Sequence, residues 1–292
     1  CAVPPLVSEN LRYDHDHLQN AYAKLMERAL AKQPGLLLVE LAEAQAVAKE
    51  LAIRDADERL RRRAPLYFLG SFRHFTEDDE QKVRVSLKLK RGEKNVGEKE
   101  IVATSDAMTQ QLPRLAIALA NDSHQAADTR WFSTAEAKIL ADRSWTHHQL
   151  GNLNEAVALA EASLLLDPTQ FELRPRCIEL YGRLSVTGPH RRMSDERLVA
   201  GLKAHSRGLD HIEHFFRIAK DIEPHQEAAK ANFIGGLIGR SFGFSPSREY
   251  QRDWPDAIKP LVEQVREKDH QTAIRVLRMR SAAGYDDTDS FY

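Results

Sequence analysis

The sequence predicts two domains in series: an α/β sandwich over residues 1–122 and an all-α domain of helical hairpins over residues 123–292. Three observations carry that prediction. A chain of 292 residues has the length of about two ordinary domains. Between residues 66 and 104 the apolar side chains recur with a period of two, as in a sheet with one buried face. From residue 137 onward they recur every three or four positions, as in packed helices.

The first domain is read element by element. Leu18, Tyr22, Leu25, Met26, Ala29 and Leu30 share one helical face, with Gln19, Lys24, Glu27 and Arg28 opposite. Pro34-Gly35 ends that helix, and the apolar run Leu36-Leu37-Leu38-Val39 behind it is expected to form a short buried strand. Ala44 to Ile53 reads as a second helix with Val47 and Leu51 on one side. Tyr67 to Phe72 reads as a strand and Thr76 to Gln81 as its polar connection. Val83, Val85, Leu87 and Leu89 then alternate with Arg84, Ser86, Lys88 and Lys90. Gly92 to Gly97 is expected to turn, and Glu100 to Thr104 to open the next strand. Met108 to Ala120 closes the domain as a helix carrying Leu112, Leu115, Ile117 and Leu119.

These pieces together carry a resemblance. The apolar opening Ala2-Val3-Pro4-Pro5-Leu6 precedes the helix with Leu25 and Leu30, and Leu38-Val39-Glu40-Leu41 leads into the next helix. The strand Tyr67-Phe68-Leu69-Gly70-Ser71-Phe72, the alternating Val83 to Leu89 and the Gly97-Glu98 turn follow. Residues 1–120 thus resemble the domain shared by the curli-secretion lipoprotein family and the N-terminal domain of the Tol-Pal β-propeller protein. The resemblance implies an envelope-associated, non-enzymatic fold acting through assembly contacts. The long amphipathic pore hairpin of the secretion lipoproteins has no counterpart in this sequence, so no pore is implied.

In the second half, residues 137–170 carry Leu140, Ser144, Gly151, Ala156 and Ala160 and end on Asp167-Pro168. Gly151-Asn152-Leu153-Asn154-Glu155-Ala156 resembles the inter-helix turn of a tetratricopeptide repeat, where small residues let antiparallel helices pack closely. His147 stands where an aromatic is usual in that family and Arg143 where Leu is usual. A second copy places Arg174, Cys177, Ile178 and Tyr181 on the next first helix and breaks at Ser185 to Arg192. A third hairpin is expected from Ser194, its second helix carrying Leu209, Ile212, Phe215, Phe216, Ala219 and Ile222. Asp256-Ala257-Ile258 with Leu261, Val262 and Val265 echoes the Glu155-Ala156-Val157 helix. Stacked hairpins of this kind leave a concave surface for peptides or proteins.

Composition and motifs narrow the chemistry. A net charge of −1 argues against a general nucleic-acid binder, which needs clustered cations. No apolar run of about 18 residues is present, so no transmembrane helix is expected. Cys1 and Cys177 make neither a disulfide framework nor a cysteine metal site. A Cys at a mature N-terminus is where a bacterial lipoprotein carries its acyl chains. The preferred reading is a sequence boundary that falls at Cys1, with membrane anchoring through Cys1 as the alternative.

Asp14, His15, Asp16 and His17 have metal-ligand chemistry, but consecutive side chains seldom converge on one ion, and a solvated loop explains them. His211 and His214 share a helical face, with His205 on the preceding helix; they are read as surface histidines beside Phe215 and Phe216. Gly235-Gly236 and Gly239 follow a helical segment, so close helix packing accounts for them better than a phosphate loop. Arg61-Arg62-Arg63, preceded by Asp55, Asp57 and Glu58, reads as a charged helix end. No nucleophile elbow or Cys–His motif occurs.

No metal, cofactor or catalytic residue is therefore expected. The leading expectation is a non-catalytic scaffold of the bacterial cell envelope or periplasm, with a cytoplasmic location as the alternative. It would bind a protein or peptide partner along the helical groove through Arg143, His147, Asn152 and Arg174. The competing expectations are a ligand-sensing α/β domain coupled to transmitting helices, and a non-catalytic fragment of a larger enzyme.

Overall fold

The computed structural model describes residues 1–10, 13–33, 36–39, 44, 65–92, 94–121, 133–170, 172–185, 194–219 and 254–282. Among them are a four-stranded mixed sheet and seven α-helices. They fall into two compact units: Cys1–Ser144 with Ala158–Pro168, and Trp145–Val157 with Thr169–Tyr292. The boundary expected at 122/123 lies outside the described residues.

The first unit is built on strands β1 (Val7–Ser8), β2 (Leu66–Glu77), β3 (Glu80–Arg91) and β4 (Lys94–Thr104), in that spatial order. β1 runs parallel to β2, with Val7 beside Ser71, and the other pairs are antiparallel. Alternation decides which face is covered: Val83, Val85, Leu87 and Leu89 are buried while Arg84 and Lys88 point out. On the open face Arg84 pairs with Glu100 at 3.4 Å and Lys88 with Glu98 at 3.1 Å.

The strands are longer than the sequence suggests. Glu77 pairs with Glu80, so Asp78-Asp79 alone turns the chain, with φ of 52° and 60°. Two left-handed residues match the twist of a tight hairpin, and Asp is among the few side chains that tolerate that region. The expected connection Thr76–Gln81 is thus mostly strand. Gly92, at φ 59°, opens the next connection, and β4 begins at Lys94 instead of Glu100. Gly70 explains the Leu-Gly-Ser-Phe pattern: a Cβ there would lie 2.6 Å from Leu87 Cδ2 and 3.2 Å from Leu6 Cγ.

Helices α1 (His17–Leu30) and α2 (Ser105–Asn121) pack in the same core as the buried strand residues. Leu18, Tyr22, Leu25, Met26 and Leu30 come from α1, and Met108, Leu112, Ala116 and Leu119 from α2. Thr104 Oγ1 accepts the Ala107 N–H at 3.3 Å and so caps α2. The strand expected at Leu36–Val39 is absent. Among the described residues that segment bonds to Cys1, whose carbonyl accepts the Val39 N–H at 2.9 Å and whose nitrogen donates to the Leu37 carbonyl, while the Leu36 N–H donates back to the Gln33 carbonyl at 3.3 Å. Leu36 and Leu38 pack on the core while Leu37 is 76% exposed, so one contact point replaces a ladder. The helix expected at 44–53 lies outside the described residues apart from Ala44.

Helices α3 (Ser133–Gln149) and α4 (Leu153–Leu166) form a hairpin. Within the first unit Ser163 Oγ donates to the Ala137 carbonyl at 2.6 Å, and Glu136 receives Arg28 Nε at 2.6 Å together with Lys32 Nζ. The turn follows from Gly151. Its φ is +77°, its N–H donates to His148 O, and the Asn152 N–H donates to His147 O, the paired bonds of a glycine helix stop. Asn152 O then accepts the Ala156 N–H and starts α4.

The second unit adds α5 (Leu173–Leu184), α6 (Asp195–Ala219) and α7 (Lys259–Ala282). The hairpin expected from Ser194 is instead one helix of 25 residues. Ser194 Oγ accepts the Arg197 N–H, and Leu198, Leu202, His205, Leu209, Ile212 and Phe215 then keep one unbroken buried stripe. Gly201 and Gly208 cost about 1 kcal/mol each and do not stop a helix whose whole stripe is buried. His205 therefore shares a helix with His211. α6 and α7 run in the same direction: Ser206 meets Lys268, and Glu213 meets Arg275. Leu198 and Leu202 pack there with Trp254, Ile258, Leu261, Val262 and Val265.

Candidate interaction surface

In the second unit the end of α3 lies beside α5, and the two run the same way. Trp145 and His148 stand one turn apart on α3; Arg176, Glu179 and Arg183 form a stripe on α5. The Arg176 guanidinium sits 4.9 Å from the centroid of the Trp145 ring. One turn on, His148 Nε2 lies 2.6 Å from Arg183 Nη1 and 3.7 Å from Glu179 Oε1. The His148 and Trp145 rings meet edge to face at 5.3 Å. Trp145 is 43% exposed and Leu150, at the end of the same helix, 69%.

The opposite side of α5 is buried through Leu173, Arg174, Cys177, Ile178 and Tyr181, which is why the polar stripe faces outward. Arg174 is the unusual member of that set. It is 6% exposed, and its Nη1 lies 3.3 Å from Nδ1 of the fully buried His211, which stacks on Tyr181 at 5.6 Å. A guanidinium only donates, so His211 Nδ1 accepts.

The residues expected to line a groove are placed differently from one another. Arg143 is exposed on α3 within the first unit. Asn152 is exposed and precedes α4. His147 is half-buried, and its Nδ1 has no hydrogen-bond partner among the described residues. Arg174 offers nothing to an outer surface, because its side chain is spent on His211. His211 itself is a core residue and not the expected surface histidine. Trp145, His148, Arg176 and Arg183 carry no motif in the sequence. Their separations in the chain, 145 to 176 and 148 to 183, are the one sequence signal that could pair them.

His15 stacks flat on His74, with centroids 3.7 Å apart and planes 7° apart. Asn10 grips the His74 backbone from both sides, accepting its N–H and donating to its carbonyl. Burial, then the charge of His15, pushes His74 down to about 4, so it is neutral near pH 7. Among the described residues no group of three or more His, Cys, Asp or Glu converges on an ion-sized point. The Arg61–Arg63 and Gly235–Gly239 motifs lie outside the described residues.

Among the described residues no helix is long and apolar enough to cross a membrane. Comparisons with protein-family models, with curated proteins and with solved structures return no match to this chain.

Proposed function

We propose that the chain is a non-catalytic interaction scaffold whose α3–α5 face holds a protein or peptide partner. The observation that carries this reading is the parallel pairing of α3 with α5, which puts an exposed indole and two guanidinia on one outward stripe. Trp and Arg dominate the binding energy of protein interfaces, because a flat ring or fork gives large contact at little entropic cost. Separations of 31 and 35 residues across the stripe, and a glycine stop between α3 and α4, support a tetratricopeptide-like arrangement. The bacterial envelope is the proposed location on the resemblance of residues 1–120 alone.

The test is affinity capture from native envelope extract with the full chain as bait, read by mass spectrometry. A Trp145→Ala/Arg176→Glu double variant serves as the control, since both side chains lie on the outer stripe. A partner held by the wild type and lost from the variant supports the reading. Identical capture by both overturns it.

A further inference from the structure

We propose that His148 is a proton-operated latch that sets how strongly the α3–α5 face holds an acidic peptide segment. This rests on the reading of that face as the partner surface and adds the partner's chemistry and its control. Arg183 Nη1 lies 2.6 Å from His148 Nε2. A guanidinium has no acceptor, so Nε2 accepts, and an imidazole accepting there is neutral with its proton on Nδ1. Glu179 Oε1 stands 3.7 Å from the same nitrogen.

One proton on Nε2 reverses this arrangement. The nitrogen becomes a donor, its bond with Arg183 is lost, and two cations now face each other. Glu179 becomes the partner of His148, and the exposed Arg183 is released to solvent. The groups in contact with His148 are Glu179 and Arg183 from α5 and Trp145 from α3, and Arg176 stands over the Trp145 ring. Arg176 is already committed to the Trp145 ring and keeps its charge throughout. Protonation therefore neutralises Glu179 and frees Arg183. The face then presents two guanidinia about two helical turns apart, roughly 10 Å along α5, beside an indole. Carboxylates spaced along a peptide match that pattern, and guanidinium forks are suited to carboxylates.

The experiment is fluorescence anisotropy of a rhodamine-labelled oligo-glutamate peptide titrated with the full chain, at about pH 8 and about pH 6 and fixed ionic strength, the interval in which histidines change charge. Binding is expected to strengthen about fivefold at the lower pH, the size of one or two exposed ion pairs. His148→Gln removes that step, and Arg183→Gln weakens binding more at the lower pH than at the higher. Tryptophan emission gives a readout that needs no peptide: protonating His148 against the Trp145 ring quenches it, and His148→Gln abolishes the change. Binding of equal strength at both pH values, or a pH step that survives His148→Gln, refutes the latch and leaves the partner surface standing. No binding of oligo-glutamate at either pH refutes the acidic partner. If Trp145→Ala leaves oligo-glutamate binding unchanged, the surface itself is refuted.

Discussion

The most exposed commitment of the first unit is the charge cluster at Glu136. Its side chain is 5% exposed, yet it holds a carboxylate between Arg28 Nε, at 2.6 Å, and Lys32 Nζ. Glu136→Gln keeps the shape and removes the charge, leaving two cations of α1 beside a neutral amide. Breaking a fully buried pair costs about 3–5 kcal/mol. Here the partners are partly hydrated, Arg28 being 24% and Lys32 38% exposed, which lowers the expected cost to about 2 kcal/mol. For a unit of roughly 150 residues that is about 4–8 °C in Tm. The pH dependence has a definite sign. Burial opposes ionisation of Glu136, but hydrogen bonds from Lys32 and Arg28 outweigh it and hold the carboxyl below the usual glutamate range. A group with a depressed folded value stabilises above its unfolded value, about pH 4.3, and loses that contribution as pH falls further. Differential scanning calorimetry of wild type and Glu136→Gln should show a constant gap from about pH 5.5 to 8 that closes below about pH 4. An unchanged Tm at neutral pH, or a gap that widens in acid, refutes the argument.

Three further outcomes follow from named contacts. Gly70→Val forces a side chain into the space of Leu87 and Leu6, and should cost about 2–3 kcal/mol in urea denaturation; a neutral result means the strand has room there. His74 is held down to about 4, so the unfolded chain takes up its proton first and stability falls as pH drops from about 6.5 towards 4; His74→Leu should flatten that slope in thermal melts, and an identical slope removes His74 as its cause. Arg174→Ala should cost about 2–3 kcal/mol by removing a buried side chain and its bond to His211 Nδ1, whereas Arg176→Ala should cost under about 0.5 kcal/mol; equal losses in chemical denaturation would place both residues in the same environment.

What the sequence disclosed follows from where periodicity is strong. The α1 stripe from Leu18 to Leu30 and the alternation from Val83 to Leu89 are each set by one buried face, so pattern alone finds them. The Asp78-Asp79 hairpin carries no glycine, and its positive φ values are enforced by twelve-residue strands on either side instead of by local preference. Leu36–Val39 has strand composition, but among the described residues its bonds to another segment are made at Cys1, which no local pattern can reveal. The sequence divides α6 because its charged residues interrupt the apolar run, while the buried His205 and His211 carry the stripe through. The same burial hid the roles of the arginines. Arg174 and Arg176 are two residues apart, and only the helix phase against α6 and α3 decides that one faces the core and the other the indole.

The central claim is that the α3–α5 face is where a partner sits, and site-specific photo-crosslinking tests it most directly. A photoreactive phenylalanine analogue replaces Trp145 or Arg176 in the full chain, and Lys88 on the open face of the sheet in a matched variant. Irradiation of native extract should give one discrete cross-linked product from positions 145 and 176 and none from 88. Products from 88 that equal or exceed those from 145 and 176 would contradict the assignment of the partner surface to this stripe.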